Sequence, residues 1–203
     1  QLGYNRDFSI YDTDDQRTLM RQILKELNID SKTLRERAVL SQISQTKNRG
    51  GNAEDYLSES DGDYLSKLIY RSFKRYEEKL KENNALDFDD LLLKTLALFE
   101  RFPEVLSRYQ ERFRYILVDE YQDTNDVQFR LIYELAKKYR NICVVGDDDQ
   151  SIYRFRGANL ENILSFEAEF PGCYTVKLEQ NYRSTSPILN LANTVIAENT
   201  RRK

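Results

Sequence analysis

The chain has 203 residues, 40% of them hydrophobic and 32% charged, with a net charge of −3, enough for one large domain or two small ones. The acidic balance offers no overall positive field for nucleic acid, so any such contact has to be local. With no His, two cysteines outside any C-x-x-C spacing and no apolar run near ~20 residues, imidazole triads, zinc sites and a helical membrane span are excluded, and a reduced, cytoplasmic protein is expected.

Gln1-Leu2-Gly3-Tyr4 has neither an initiator Met nor a signal-peptide core, and the chain reads as a trimmed fragment. Thr13 and Gln16 form a capping-box pair ahead of Leu19, Met20, Ile23, Leu24 and Leu27, which are spaced as one helical face. Ser31 predicts the N-cap of a second helix carrying Leu34, Ala38 and Ile43. Gly50-Gly51-Asn52 breaks that pattern, and a mobile loop is expected to follow. From Asp63, the positions Leu65, Ile69, Phe73, Tyr76 and Leu80 mark a long helix ending near Asn83-Asn84. Leu91, Leu92, Leu96 and Phe99 mark another, ended before Pro103. Residues 1–112 therefore read as a charged, all-helical insertion subdomain.

After Phe113 the pattern changes. Segments 115–118, 142–145 and 174–178 are short apolar or β-branched runs, separated by helical patterns at 126–138 and 160–170. Strands alternating with helices predict an α/β fold, here a parallel sheet covered on both faces. Ser186-Pro187 opens a last helix to about Asn199, with Pro at its first position.

Ligands of open α/β sheets bind at the carboxyl ends of strands, where Asp119-Glu120 falls, directly after Ile116-Leu117-Val118 in a run read as a buried strand. One carboxylate there can hold Mg²⁺ while the next orients and deprotonates an attacking water. Taken alone, the same dipeptide also suits a turn or a helix cap. Its surroundings tip the balance. The segment continues as D-E-Y-Q-D-T-N, the next strand ends in V-V-G-D-D-D-Q-S-I-Y-R-F-R-G-A, and the third in L-E-Q-N-Y-R-S, so three strand ends carry polar or aromatic groups.

These blocks, with F-S-I-Y-D-T-D-D-Q at 8–16 and L-D-F-D-D-L-L at 86–92, resemble the UvrD/Rep/PcrA family of superfamily-one DNA helicases in order and spacing over nearly the whole chain. The resemblance implies a partial RecA-like parallel sheet flanked by helices at 113–203, after the insertion at 1–112. It implies that Asp119 holds Mg²⁺ and Glu120 is the general base. Gln150 would sense the γ-phosphate, Arg183 would contact it, and Tyr182 would stack on adenine. Neutral amide, guanidinium fork and aromatic ring are chemically apt for those tasks. Tyr153, Phe155 and Arg156 would form a single-strand DNA platform, because aromatic and guanidinium planes stack on any base. Phe155 stands where relatives usually have Trp, a residue this chain lacks altogether. Phe88 matches another base-contacting aromatic, although a Phe at a helix start can equally be core. Asp147-Asp148-Asp149 is read as a loop that fixes Gln150 rather than as a second metal site, and the basic residues of 71–81 as a solvated helix face.

No Gly in the chain is followed by Lys, so the G-x-x-x-x-G-K-[ST] phosphate cradle is absent from it. The expected function is therefore that of part of an ATP-dependent helicase or translocase, moving three-prime to five-prime on single strands or at single/double-strand junctions in DNA repair or replication. By itself the fragment is expected to be monomeric and inactive. Two other readings stay open, a non-catalytic single-strand DNA-binding module and the motor of an AddA- or RecB-type helicase–nuclease.

Overall fold

The computed structural model describes residues 2–153 and 157–197. Strand β1 (Ser9–Tyr11) leads into α1 (Thr13–Glu26), whose N-cap is Asp12. Asp12 accepts from the Asp14 and Asp15 N–H groups, and Asp15 accepts from the Asp12 N–H in return. The capping box thus lies one residue before the expected Thr13/Gln16 pair, because a carboxylate reaches the orphan N–H groups and adds favourable charge at the helix start. Ser31 does not cap α2 (Glu36–Asn48). Asp30 takes the Lys32 N–H on its side chain and the Thr33 and Leu34 N–H groups on its carbonyl, which holds Ser31 in a turn. The expected loop after Gly51 is instead α3 (Ala53–Glu59), started by a reciprocal cap between Asn52 and Asp55.

Helix α4 (Tyr64–Glu82) is the centre of the first part. Its Leu68, Ile69, Phe73, Tyr76 and Leu80 pack with Leu19, Met20, Ile23 and Leu24 of α1 and Val39 and Ile43 of α2 in one core, while the predicted Leu65 stays exposed. Asn84, at φ 48°, turns the chain into β2 (Ala85–Asp87), which pairs parallel with β1 in the register Ser9↔Ala85 and Tyr11↔Asp87. The first part is therefore not all-helical. Two three-residue strands are too short to display the alternation by which strands are recognised, and β2 runs directly into α5 (Phe88–Arg101). Pro103 then begins a further helix, α6 (Pro103–Arg112), taking the first helical position, where its missing N–H costs nothing.

In the second part β3 (Ile116–Val118) and β4 (Ile142–Val144) pair parallel, Ile116 opposite Ile142 and Val118 opposite Val144, with α7 (Asp126–Ala136) between them in sequence. Helix α7 packs on α5 and α6, which joins the two parts. The helical pattern at 160–170 divides into α8 (Glu161–Leu164) and α9 (Phe166–Glu169) at Ser165, whose hydroxyl donates back to the Glu161 carbonyl. The last element among the described residues is α10 (Ser186–Ile196).

Two expectations about the sheet are corrected. Segment 174–178 forms no strand, and β3 is not fully buried, since Leu117 is 80% exposed. Both follow from one cause. Among the described residues no further strand lies beside the β3–β4 pair, so 174–178 has no ladder to join and one face of β3 has no cover. No helix among the described residues is long and apolar enough to cross a membrane.

Candidate functional site

Asp119 and Glu120 stand immediately beyond Val118, at the C-terminal end of β3. The Val145 N–H donates to the Val118 carbonyl and the Tyr121 N–H to the Val145 carbonyl, so the ladder continues past both acids and fixes their backbone. Glu120 adopts a left-handed conformation, φ 49°, an uncommon one for a residue with a side chain, and the Asp119 Oδ1 accepts its N–H at 2.9 Å. That turn throws both carboxylates to the surface. They border an open cleft of about 350 Å³ whose other walls are Val118, Asp123, Thr124, Gln128, Leu131 and Ile132.

The cleft is strongly acidic. Among the described residues no Lys or Arg forms an ion pair with Asp119, Glu120 or Asp123. Among the described residues the Asp123 Oδ1 is buried without a hydrogen-bond partner, and burial, together with the Glu120 charge, raises the pKa of that carboxyl. Hard oxygen donors grouped without a counter-charge suit Mg²⁺, so the residues fit the metal expected from the sequence.

Gln150 is carried on a short 3₁₀ turn (Asp148–Gln150) at the end of β4, the strand beside β3. Its Nε2 donates to the Asp147 Oδ2 at 2.6 Å, and the Asp147 Oδ1 accepts the Asp149 N–H at 3.0 Å. The carboxylate groups of 147–149 come within 4.8 Å of one another, yet both Asp147 oxygens serve the loop, as expected for a device that orients Gln150. The buried Gln122 connects the strand ends: its Nε2 donates to the Glu120 Oε2 at 2.7 Å, and its Oε1 accepts the Asp147 N–H at 3.1 Å.

Tyr182 and Arg183 are not brought to this cleft. Tyr182 is 92% exposed, and among the described residues no hydrogen bond or ion pair ties either side chain to Asp119 or Glu120. They follow the segment that, among the described residues, has no strand to pair with, so no ladder carries them to β3. Of the expected DNA platform, Tyr153 is partly exposed, whereas Phe155 and Arg156 lie outside the described residues. Phe88 is 58% exposed at the first position of α5, which removes the core alternative for it.

The residues flanking Phe88 are anchored by the end of α2. Lys47, 1% exposed, reaches the Asp87 Oδ2 at 2.7 Å and the Asp90 Oδ1 at 3.0 Å, and the Tyr76 hydroxyl donates to Asp87 at 3.2 Å. Burial by itself would lower the Lys47 pKa, but the two carboxylates outweigh it and the net shift is upward, keeping the ammonium charged. Asp87 in turn accepts the Asp90 N–H and so caps α5. Next to Lys47, Asn48 donates to the Asp89 Oδ1 at 3.3 Å and accepts from Asn125, the residue that caps α7. Gly157 lies against Asn48 so closely that a Cβ on it would sit 3.2 Å from the Asn48 Cβ, and its φ of +90° favours glycine besides. Phe88 and the loop after Gln150 thus hang from one helix end.

Lys47, Asn48, Gln122 and Asp123 were not singled out from the sequence. For Lys47 a signal existed: Val39, Ile43 and Lys47 follow at four-residue steps and share the buried face of α2.

Over all 203 residues the chain is 50% identical to the ATP-dependent DNA helicase PcrA of Bacillus subtilis (strain 168), covering 27% of that protein. It is equally similar to the proteins of that name from Staphylococcus epidermidis (strain RP62A) and Staphylococcus aureus (strain Mu50), covering 28% of each. The chain therefore spans little more than a quarter of the length of these curated relatives. Residues 1–171 match the UvrD/REP helicase N-terminal domain, and the chain belongs to that family.

Proposed function

We propose that this chain supplies the hydrolytic strand end of an ATP-dependent DNA helicase that moves three-prime to five-prime on single-stranded DNA. The observation that carries the reading is the pair Asp119-Glu120 at the end of β3, beside the Gln150 loop at the end of the parallel neighbour β4. In this reading Asp119 holds Mg²⁺, with Asp123 close by, and the ion neutralises phosphate charge when bound. Glu120 accepts the proton of the attacking water as the water oxygen bonds to the γ-phosphorus and ADP departs. Gln150 senses the γ-phosphate. Tyr182 and Arg183 belong to the nucleotide site only once segment 174–183 is packed against it. Tyr153, Phe155, Arg156 and Phe88 stack on or border single-stranded DNA, including strands next to a duplex junction, and the full-length protein works in the cytoplasm in DNA repair or replication. The chain has no G-K-[ST] loop, so in isolation it turns over no ATP and serves as one part of a larger motor.

The test is Glu120→Gln in the full-length protein. Nucleotide binding should persist while DNA-stimulated hydrolysis falls by about 10² or more, the usual contribution of a general base. Unwinding that survives this substitution would remove Glu120 from the mechanism. Robust ATP turnover by the 203-residue chain alone would refute its dependence on the rest of the motor.

A further inference from the structure

Gln122 is 1% exposed, yet its amide touches two groups of the candidate site. The Asp147 backbone N–H can only donate, so the amide atom facing it at 3.1 Å has to be the oxygen. The nitrogen therefore faces the Glu120 Oε2 at 2.7 Å, and an ionised carboxylate can only accept. The two partners leave a single orientation for the side chain. Its backbone is tied as well, since the Ser151 hydroxyl donates to the Gln122 carbonyl at 3.3 Å. Space is equally restricted. A Cβ on Gly146 would lie 2.7 Å from the Gln122 Oε1 and would push the amide aside, so the glycine leaves room for the side chain in this orientation.

We propose that Gln122 is a positioning residue that aims the Glu120 carboxylate and locks it to the loop bearing Asp147 and Gln150. The proposal rests on the assignment of Glu120 as the general base. Glu120 is surface-exposed on a left-handed turn, and the bond from Gln122 is what restrains its carboxylate against rotation into solvent. The same amide accepts from the loop in which Gln150 donates to Asp147, so a hydrogen-bonded chain runs Glu120, Gln122, Asp147, Gln150. A displacement of the 147–151 loop is thereby passed to the base. An amide of this length donates to one partner and accepts from the other without any change of protonation. Glutamate keeps the acceptor and loses the donor, and methionine keeps the shape and loses both.

The experiment uses the full-length protein with saturating single-stranded DNA and measures kcat for ATP beside the affinity for a fluorescent ATP analogue. Gln122→Glu and Gln122→Met should each lower kcat about 10- to 100-fold, the scale of a misaimed catalytic group, with affinity changed by less than roughly threefold. Added to Glu120→Gln, Gln122→Met should cause no further fall, because a residue acting through the base has nothing left to aim. Gln122→Glu with kcat within roughly twofold of the parent would overturn the proposal, as would an undiminished effect of Gln122→Met on the Glu120→Gln background. Gln122→Glu is nearly isosteric and keeps the bond from Asp147, so it remains informative should Gln122→Met fail to fold. Wild-type hydrolysis by Glu120→Gln alone would instead defeat the underlying assignment of the base.

Discussion

The Asn125 Nδ2 donates to the Asn48 Oδ1 across 2.5 Å, a side-chain bond that joins the cap of α7, in the second part, to the end of α2 in the first. Asn48 also spends its own amide protons on Ser44 and Asp89, so it fixes the helix end and the Phe88 segment together. Asn48→Ala and Asn125→Ala should each destabilise the fold by about 1–2 kcal/mol, and the double variant by less than their sum, with a coupling of at least ~0.5 kcal/mol. Urea unfolding of the four proteins measures this. Strict additivity would mean that the bond carries no energy between the parts.

Lys47 is the counter-charge for two buried carboxylates at once. Lys47→Met fills nearly the same volume and leaves Asp87 and Asp90 facing one another uncompensated, which should cost about 3–5 kcal/mol. The sign of the linkage follows from its raised pKa. The stabilisation is complete at neutral pH and is lost only as pH rises past the ordinary lysine value of 10.5 and through the higher folded-state value. Equal unfolding midpoints for the variant and the parent at pH 7 would contradict this account.

Among the described residues the Tyr121 hydroxyl is buried without a partner, although its ring packs edge-on against Phe166. Burial pushes its pKa up to about 12, with Glu169 adding to the shift. Tyr121→Phe removes an unsatisfied polar group and should leave stability unchanged or raise it by about 1 kcal/mol. Because the folded-state pKa lies above the unfolded one, ionisation of Tyr121 in the unfolded chain lowers stability as pH rises from 10 to about 12, and the Phe variant should lose less over that window. Thermal melts at pH 7 and pH 11 check both statements. A marked loss of stability at pH 7 would reveal a partner for the hydroxyl.

Tyr153 and Phe88 present aromatic surface to solvent from segments anchored at the same helix end. In the full-length protein each alanine substitution should weaken single-strand DNA binding by about 1–3 kcal/mol, irrespective of base sequence. Phe88→Ala should leave folding stability within roughly 0.5 kcal/mol, since the ring is exposed. Fluorescence anisotropy on homopolymer strands together with unfolding curves separates the two effects. Unchanged affinity in both variants would remove these rings from the DNA path.

Much of this molecule is legible in the order of its residues. The α1 and α4 stripes, Asp63 as the start of α4, Pro103 as a boundary and the acid pair after an apolar run all follow from short-range periodicity and capping chemistry. The departures share a physical origin. Asp12 rather than Thr13 caps α1, and Asn52 starts a helix where the glycines predict a loop, because several polar residues compete for each cap and only geometry selects one. Strands β1 and β2 exist because α1 to α4 bring them side by side, a pairing 76 residues apart that local pattern does not contain.

The sequence by itself determined the family and the chemistry of the strand ends, since those rest on residue identities at fixed spacing. Tertiary structure alone decided which of them meet. It set Glu120 and Gln150 at neighbouring strand ends with Gln122 between them, buried Lys47 against Asp87 and Asp90, and left Tyr182 and Arg183 apart from Asp119. The reason is that hydrogen bonds and ion pairs depend on through-space distance, and a strand forms only where another strand accepts its backbone groups.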